Sequence, residues 1–247
     1  MLSLPKGIRA GLFDLDGVLT QTARLHAAAW KDTFDAFLRS RAEKSGAAFT
    51  PFDPLVDYAE FIDGKLRYDG VRSFLASRRI DLLEGDESDP PGAETIRGLG
   101  DRKNELVLTL IRRQGVETYP GSVRYVRAAR EAGIRRAVVS ASKNCHEILM
   151  AAGIDDLFEE VIDGIVAEQE HLRGKPAPDT FLAASDALGV PPADAAVFED
   201  ALAGVEAGRS GDFGFVVGVD RSGQTNALLE HGADVVVSDL ADLLDRA

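Results

Sequence analysis

Sulfur and histidine are scarce in this 247-residue sequence, which has one cysteine, two methionines and four histidines. The single cysteine, Cys145, excludes an intramolecular disulfide and a zinc site built from several thiolates. We expect Cys145 to be a small buried residue and not a reactive thiol. No cluster of histidine and cysteine points to zinc or iron.

Basic residues are also in deficit, since 28 Lys and Arg stand against 41 Asp and Glu, which gives a formal net charge of −13. Such a chain is a poor candidate for binding nucleic acid or an anionic membrane through a broad basic surface. No uncharged apolar run approaches the ~18 residues of a membrane-spanning helix, and no run near the N-terminus resembles a signal peptide. We therefore expect a cytoplasmic protein that binds neither nucleic acid nor membrane. A monomer is favoured, and the oligomeric state stays open.

The pattern that is present is an alternation of strands and helices, interrupted once. A short apolar run at 8–13 predicts a strand. Only helical patterns follow between 21 and 118, at 24–41, 70–78 and 101–114. From residue 119 onward, short apolar runs alternate with helical segments, which is typical of βαβ units. These later runs lie at 137–139, 196–198, 213–219 and 235–237.

This alternation predicts an α/β fold with two domains. Residues 1–20 and 119–247 would form a Rossmann-like three-layer core with a parallel sheet, because strands this apolar need cover on both faces. Residues 21–118 would form an inserted, all-helical cap domain. An insert placed directly after the first strand suits a lid.

The carboxyl ends of the predicted strands, where ligands bind in open α/β sheets, carry most of the reactive side chains. Together with a lysine in a loop before a helix, the set is Asp14, Asp16, Ser140, Lys175, Glu199 and Asp200. Taken singly, each has a plainer interpretation as a turn former, a helix cap or a solvated loop residue. The joint pattern, in register with the strand ends, is hard to obtain by accident.

The chemistry of this set favours phosphoryl transfer. Crowded carboxylates require a cation, and Asp14, Asp16 and Asp200 are hard oxygen ligands that suit Mg²⁺. Lys175 and the metal would offset the charge of a phosphoryl group, and the Ser140 hydroxyl would donate a hydrogen bond to it. A carboxylate can attack phosphorus to give an aspartyl-phosphate, and a second carboxylate two residues on can serve as general acid and base.

The same residues resemble a known family. Asp14-Leu15-Asp16-Gly17-Val18-Leu19-Thr20, Ser140, Lys175 and Glu199-Asp200 are similar, in order, to the four motifs of the haloacid dehalogenase superfamily of phosphotransferases. Further matches resemble the β-phosphoglucomutase family within it. They are Thr22-Ala23, His26, Trp30, Gly70-Val71, Arg102-Lys103-Asn104, Tyr119-Pro120-Gly121, Ser140-Ala141-Ser142-Lys143-Asn144 and Lys175-Pro176-Ala177-Pro178-Asp179.

The resemblance implies roles for these residues. Asp14 would be the nucleophile and Asp16 the general acid and base. Mg²⁺ would be held by Asp14, the Asp16 carbonyl and Asp200, with Glu199 nearby, and the transferring phosphate by Ser140, the Ala141 amide and Lys175. Sugar contacts would come from His26, Trp30, Gly70, Val71, Lys103, Ser142 and Asn144.

The residues of the helical insert have weaker support from the sequence. Thr22, His26 and Trp30 share one face of a predicted helix, but packing between lid and core would explain that face equally well. A helical lysine such as Lys103 is by default a solvated charge. The arginine that the relatives place two residues after the Gly-Val pair is absent, so Arg72, with Arg67 as the alternative, is predicted to hold the non-transferring phosphate.

The expected substrate is a small phosphorylated sugar. The resemblance implies that β-glucose 1-phosphate and glucose 6-phosphate are interconverted through phospho-Asp14 and a bisphosphate intermediate. Two alternatives stay open. One is a sugar-phosphate phosphatase on the same scaffold, in which water discharges phospho-Asp14, and the other is a non-catalytic protein that binds phosphosugars.

Overall fold

The computed structural model describes residues 2–244 and consists of two compact units. The first unit contains the chain up to Gln21, Gly64–Leu66 and the chain from Val116 onward. The second contains Thr22–Asp63 and Arg67–Gly115. Each unit has a hydrophobic core of its own. Across residues 2–244, no helix combines the length and the apolar character needed to cross a membrane.

The first unit is built on a six-stranded parallel sheet of order β3-β2-β1-β4-β5-β6. The strands are β1 (Ala10–Phe13), β2 (Arg135–Val139), β3 (Glu160–Ile162), β4 (Ala195–Glu199), β5 (Phe215–Val219) and β6 (Val235–Val237). β1 lies in the middle of the sheet, where Leu12 is in register with Ala137 of β2 and Val197 of β4. The predicted α/β class with a parallel sheet is confirmed.

Nine α-helices occur in the described part of the chain. They are α1 (Ala23–Ser45), α2 (Arg67–Ser77), α3 (Ile96–Gln114), α4 (Pro120–Glu131), α5 (Cys145–Ala152), α6 (Gly164–Gln169), α7 (Asp179–Ala187), α8 (Leu202–Ser210) and α9 (Thr225–Glu230). Shorter helical turns occupy Tyr58–Ile62, Asp155–Leu157, Pro192–Asp194 and Leu240–Leu243.

Apolar residues on both faces of the strands account for the three layers of the first unit. On one face, Phe181 of α7 and Val205 of α8 pack against the sheet in a cluster that includes Leu12. On the other face, Tyr125 of α4 lies 5.3 Å from the ring of Phe198, measured between ring centroids, and Phe198 stacks on Phe13. The sheet is therefore buried from both sides, as its apolar sequence requires.

The second unit is helical, and none of its described residues lies in a named strand. Its core is an aromatic cluster in which Phe34 of α1 lies 4.2 Å from Phe74 of α2 and 5.3 Å from Phe52, between ring centroids. The three predicted helices are present but longer than predicted. α3 begins at Ile96 because the Thr95 side chain caps it by accepting from the Gly98 amide at 3.0 Å.

Two elements, β3 and α6, were not predicted from the sequence. β3 is a three-residue edge strand that pairs only with β2, through Val138–Val161 and its neighbours. The Glu residues at 159 and 160 interrupt its apolar pattern. α6 begins where the Asp163 carboxylate accepts from the amides of Ile165 and Val166. Pairing with β2 determines β3, whereas a local side-chain cap, and not an apolar pattern, determines where α6 begins.

Candidate active site

Lys175 lies at the centre of a polar cluster in the first unit, with only 2% of its side chain exposed. Its Nζ donates to Asp14 Oδ1 at 2.6 Å, to the Val139 carbonyl at 3.3 Å and to Glu199 Oε1. Asp14 follows β1, Val139 ends β2 and Glu199 ends β4. One ammonium therefore joins the carboxyl ends of three adjacent strands.

Three carboxylates meet beside this lysine. Asp14, Glu199 and Asp200 each offer an oxygen, and these oxygens lie within 4.8 Å of one another. All three residues are buried. The second Glu199 oxygen, Oε2, accepts from the Ala201 amide at 3.0 Å. Glu199 is thus engaged through both oxygens by protein donors, which leaves Asp14 and Asp200 as the better placed ligands for an external cation.

The electrostatics of the cluster also favour a cation. Burial raises the pKa of Asp14 well above its usual value, and the Glu199 and Asp16 carboxylates raise it further against the attraction of Lys175. Burial alone would lower the pKa of Lys175, but Asp14 and Glu199 outweigh it and raise that pKa. The positive charge of Lys175 therefore lies against a group of buried carboxylates. Hard oxygen donors that lie this close together fit a divalent metal ion.

The turn after β1 brings Asp16 and Gly17 close to the same cluster of carboxylates. It is closed by hydrogen bonds from the Gly17 amide to the Thr20 carbonyl at 2.8 Å and from the Thr20 amide to the Leu15 carbonyl at 2.9 Å. Gly17 has a φ of +92°, and a Cβ there would lie 1.8 Å from Asp200 Oδ2. Glycine is thus required both by the backbone and by the neighbouring carboxylate.

Ser140 directly follows β2 and is buried. Its amide donates to the Ile162 carbonyl at 2.9 Å, and its Oγ accepts from the Ser142 amide at 3.1 Å. The Ser142 Oγ in turn accepts from the Asn144 amide at 3.2 Å. The hydroxyl of Ser140 therefore organises its own loop and retains its proton to donate. Ala141 lies within the same loop, two residues after Val139, whose carbonyl accepts from Lys175.

A second polar group lies inside the helical unit. Lys103 Nζ of α3 lies 2.9 Å from His26 Nδ1 of α1 and 5.0 Å from the centroid of the Trp30 ring. Lys103, His26 and Trp30 are all buried, as is Thr22, whose carbonyl accepts from the His26 amide at 3.0 Å. The default interpretation of Lys103 as a solvated charge is wrong. Thr22 directly precedes α1, and His26 and Trp30 are among the buried residues of that helix.

The remaining predicted residues of the helical unit are placed less favourably. Gly70 and Val71 lie within α2, and Val71 is fully buried among apolar side chains, where it offers no surface to a sugar. Arg72 is held by Asp69 Oδ1 at 2.5 Å and by both oxygens of Glu84. Arg67, with 11% of its side chain exposed, donates to the Asn104 side chain at 2.8 Å. Arg67 is paired with a carboxylate as well, since Asp101 Oδ1 lies 3.4 Å from its Nη1, and the phosphate role predicted for Arg72, with Arg67 as the alternative, stays a prediction.

The sequence analysis did not select two side chains that lie next to the cluster. Arg221 Nε donates to the Gly17 carbonyl at 2.8 Å, and Gln224 Nε2 donates to the Asp200 carbonyl at 3.0 Å. Both follow β5, so the rule that singled out the other strand ends also points to this loop. The signal was missed because neither residue type is a common metal ligand or nucleophile.

The comparisons with known proteins agree with this geometry. A model of the haloacid dehalogenase-like hydrolase family matches residues 8–212, and the chain belongs to this family. A β-phosphoglucomutase from Mycobacterium bovis is 53% identical over 247 residues, which cover 99% of this chain and 94% of the relative. A β-phosphoglucomutase from Bacillus subtilis is 35% identical and aligns with 96% of this chain and 92% of its own.

A solved structure is similar over nearly the whole chain. The crystal structure of a β-phosphoglucomutase from Clostridium difficile superposes with a TM-score of 0.74 at 28% identity, covering 96% of this chain and 94% of the other. The predicted resemblance to the superfamily, and to β-phosphoglucomutases within it, is confirmed.

Proposed function

We propose that this protein is a Mg²⁺-dependent phosphotransferase that interconverts β-glucose 1-phosphate and glucose 6-phosphate. The observation that carries the proposal is the Lys175 cluster, in which a permanent positive charge lies against the carboxylate of Asp14 at the end of the central strand. Full-length similarity to proteins named β-phosphoglucomutase supports the choice of substrate.

The metal would be held by the Asp14 and Asp200 carboxylates and by the Asp16 carbonyl. When bound, Mg²⁺ would offset the negative charge on the phosphoryl oxygens. Glu199 was predicted to lie near the metal, and its contacts support a different task. Because both of its oxygens bind protein donors, we assign it to holding the Lys175 ammonium in place.

The residues of the chain would carry out two successive transfers. An Asp14 oxygen attacks phosphorus, the bond between phosphorus and the sugar oxygen breaks, and Asp16 protonates the departing oxygen. In this first transfer the sugar is bound as its 1,6-bisphosphate and departs as a monophosphate. Asp16 then takes the proton of the 6-hydroxyl of β-glucose 1-phosphate, whose oxygen attacks phospho-Asp14, so that the bond between phosphorus and Asp14 breaks and the bisphosphate forms again. Lys175, the Ser140 hydroxyl and the Ala141 amide would hold the transferring oxygens, with Ser142 and Asn144 contacting the sugar.

The helical unit would act as the lid that selects sugar over water. Its buried Lys103–His26 pair, stacked near Trp30, offers a charged donor and an apolar ring, which together suit a sugar hydroxyl and a sugar face. A tenfold preference for sugar over water requires only about 1.4 kcal/mol of differential transition-state stabilisation. A small set of such contacts is therefore sufficient.

The test is to incubate the protein with β-glucose 1-phosphate, Mg²⁺ and a trace of glucose 1,6-bisphosphate, and to measure glucose 6-phosphate and free phosphate together. We expect glucose 6-phosphate to dominate, no reaction after EDTA treatment and recovery with Mg²⁺. The α-anomer serves as the matched control substrate. Free phosphate as the main product at saturating substrate would replace the mutase proposal by a phosphatase, in keeping with the hydrolase description of the family.

A further inference from the structure

We infer that Arg221 and Gln224 are positioning residues that hold together the two chain segments of the metal site. They lie in the segment 220–224, here called the β5 loop, which contributes no ligand of its own. The inference rests on the proposed function, because it takes Asp200 and the turn after β1 as the metal-binding segments.

The β5 loop is a preorganised support. The Asp220 carboxylate accepts from three successive amides, those of Ser222 at 3.1 Å, Gly223 at 2.7 Å and Gln224 at 3.0 Å. Its other oxygen accepts from the Thr225 hydroxyl at 2.5 Å. Four bonds to one side chain fix the loop backbone, so that Arg221 and Gln224 project from a rigid turn.

Arg221 reaches from this loop to the turn after β1. Its Nε donates to the Gly17 carbonyl at 2.8 Å and its Nη1 donates to the Ser238 carbonyl at 2.7 Å. The guanidinium carbon lies 3.5 Å from the centroid of the Tyr119 ring, and Asp239 Oδ2 lies 4.0 Å from Nη1. A planar group stacked on a ring and bonded on two sides has little freedom to move, so the Gly17 carbonyl is held in one position.

Gln224 holds the other segment. Its Nε2 donates to the main-chain carbonyl of Asp200 at 3.0 Å. The Asp200 carboxylate lies so close to Gly17 that a Cβ on Gly17 would sit 1.8 Å from Oδ2. The β5 loop therefore forms hydrogen bonds to the backbone of both segments at the point where the segments are in contact. A shift of either segment would displace the Asp200 carboxylate relative to Asp14.

This arrangement also explains the Tyr-Pro-Gly sequence at 119–121, which the proposed reaction does not use. Tyr119 supplies the ring under Arg221, and its amide donates to the Leu19 carbonyl at 2.9 Å in the same turn. Gly121 leaves room for Asp239, because a Cβ there would lie 1.7 Å from Asp239 Oδ1. Residues 119–121 thus complete the surroundings that hold the Arg221 side chain in place.

Positioning and charge predict opposite effects on metal affinity. Removing the Arg221 cation, or replacing Gln224 by a carboxylate, adds net negative charge near the site and would by Coulomb attraction tighten the binding of a divalent cation. Loss of positioning would weaken it. Removing partners that orient metal ligands typically costs about 10-fold or more in affinity. The sign of the change therefore identifies the cause.

The experiment is a titration with Mn²⁺, followed by the EPR signal of the free ion, on the wild-type protein and the variants Arg221→Ala, Gln224→Ala and Gln224→Glu. We expect each variant to bind Mn²⁺ about 10-fold more weakly than wild type. Urea unfolding of each metal-free variant is measured in parallel. Gln224→Ala removes a single hydrogen bond from a half-buried residue and keeps the test valid if Arg221→Ala does not fold.

Arg209→Ala is the matched control. Arg209 also bonds a main-chain carbonyl and a carboxylate, those of Gly232 and Asp234, but these residues precede β6, at the opposite end of that strand from Ser238. We expect it to lose stability without losing Mn²⁺ affinity. Wild-type affinity in both Gln224 variants, or equal weakening in Arg209→Ala, overturns the inference. A wild-type protein that binds no Mn²⁺ overturns the proposed metal site, and the inference with it.

Discussion

At the scale of single residues, Asp14 is a carboxyl group whose ionisation is disfavoured by the folded structure. Burial, together with Glu199 and Asp16, raises its pKa well above 3.8, the usual value that it has in the unfolded chain. An acidic group whose pKa is raised by folding makes its full contribution to stability below its unfolded pKa. That contribution is lost as the pH rises through its folded pKa. Ionisation of Asp14 therefore opposes folding as the pH rises, and a cation that joins the cluster would reduce this effect.

This sign gives a prediction for Asp14→Asn. Turnover should fall by more than about 1,000-fold, because the proposed nucleophile is gone. The free energy of unfolding at pH 8 without metal should equal or exceed that of wild type, since the buried charge is removed. Steady-state kinetics and urea unfolding measure the two quantities. Asp194→Asn, which removes the partner of Arg9 at the entry to the sheet, is the control and should retain activity. Substantial turnover in Asp14→Asn would refute the nucleophile assignment.

Lys103 is the second residue whose surroundings predict a measurable role. Lys103→Met keeps the length and apolar stem of the side chain but removes the ammonium that lies 2.9 Å from His26 Nδ1. We expect transfer to sugar to fall by about 10- to 100-fold, because the substrate is no longer oriented, with a smaller effect on hydrolysis of a small phosphoester. Lys31→Met, on the helix that carries His26 and paired with Asp35, should leave both rates unchanged. Equal losses in both reactions would contradict a role in sugar recognition.

At the scale of elements, the turn after β1 contains a glycine that cannot be replaced without a steric clash. Gly17 and Gly153 both have a positive φ, at +92° and +64°, but of the two only Gly17 has neighbouring atoms within 4 Å of the point where a Cβ would lie. Gly153→Ala should cost about 1–2 kcal/mol of unfolding free energy, which is the cost of the left-handed backbone alone. Gly17→Ala should cost distinctly more, because the added methyl collides with the Asp200 carboxylate.

The comparison of these two glycines isolates the contact with Asp200. Urea denaturation gives both free energies, and a Mn²⁺ titration should show weakened binding for Gly17→Ala alone. If the two variants lose the same unfolding free energy and bind Mn²⁺ equally well, the close approach of Gly17 and Asp200 has no energetic consequence.

The strands themselves were predicted correctly where the apolar runs in the sequence are continuous, as in β1 and β4. They were missed where a strand was short and acidic, as in β3.

At the scale of the whole molecule, the two groups of polar side chains that the proposed function uses lie in different compact units. The carboxylate cluster belongs to the first unit and the Lys103–His26 pair to the second. If the helical unit is a lid, substrate together with a phosphate mimic such as beryllium fluoride should bring the units closer and exclude water. Small-angle scattering should show a smaller radius of gyration with both ligands than with either alone. An unchanged profile would argue for a fixed cap.

The sequence by itself determined the parallel sheet, the helical insert and the set of residues at the strand ends. These follow from local hydrophobic patterns and from the rule that parallel strands present their carboxyl ends at one edge. Only the tertiary structure decided that Lys103 is buried against His26, that Arg72 pairs with Glu84, and that Arg221 reaches Gly17. Each of these contacts joins segments far apart in the chain, or depends on which way a helix face turns. Long-range packing and charge pairing determine such contacts, and no local pattern records them.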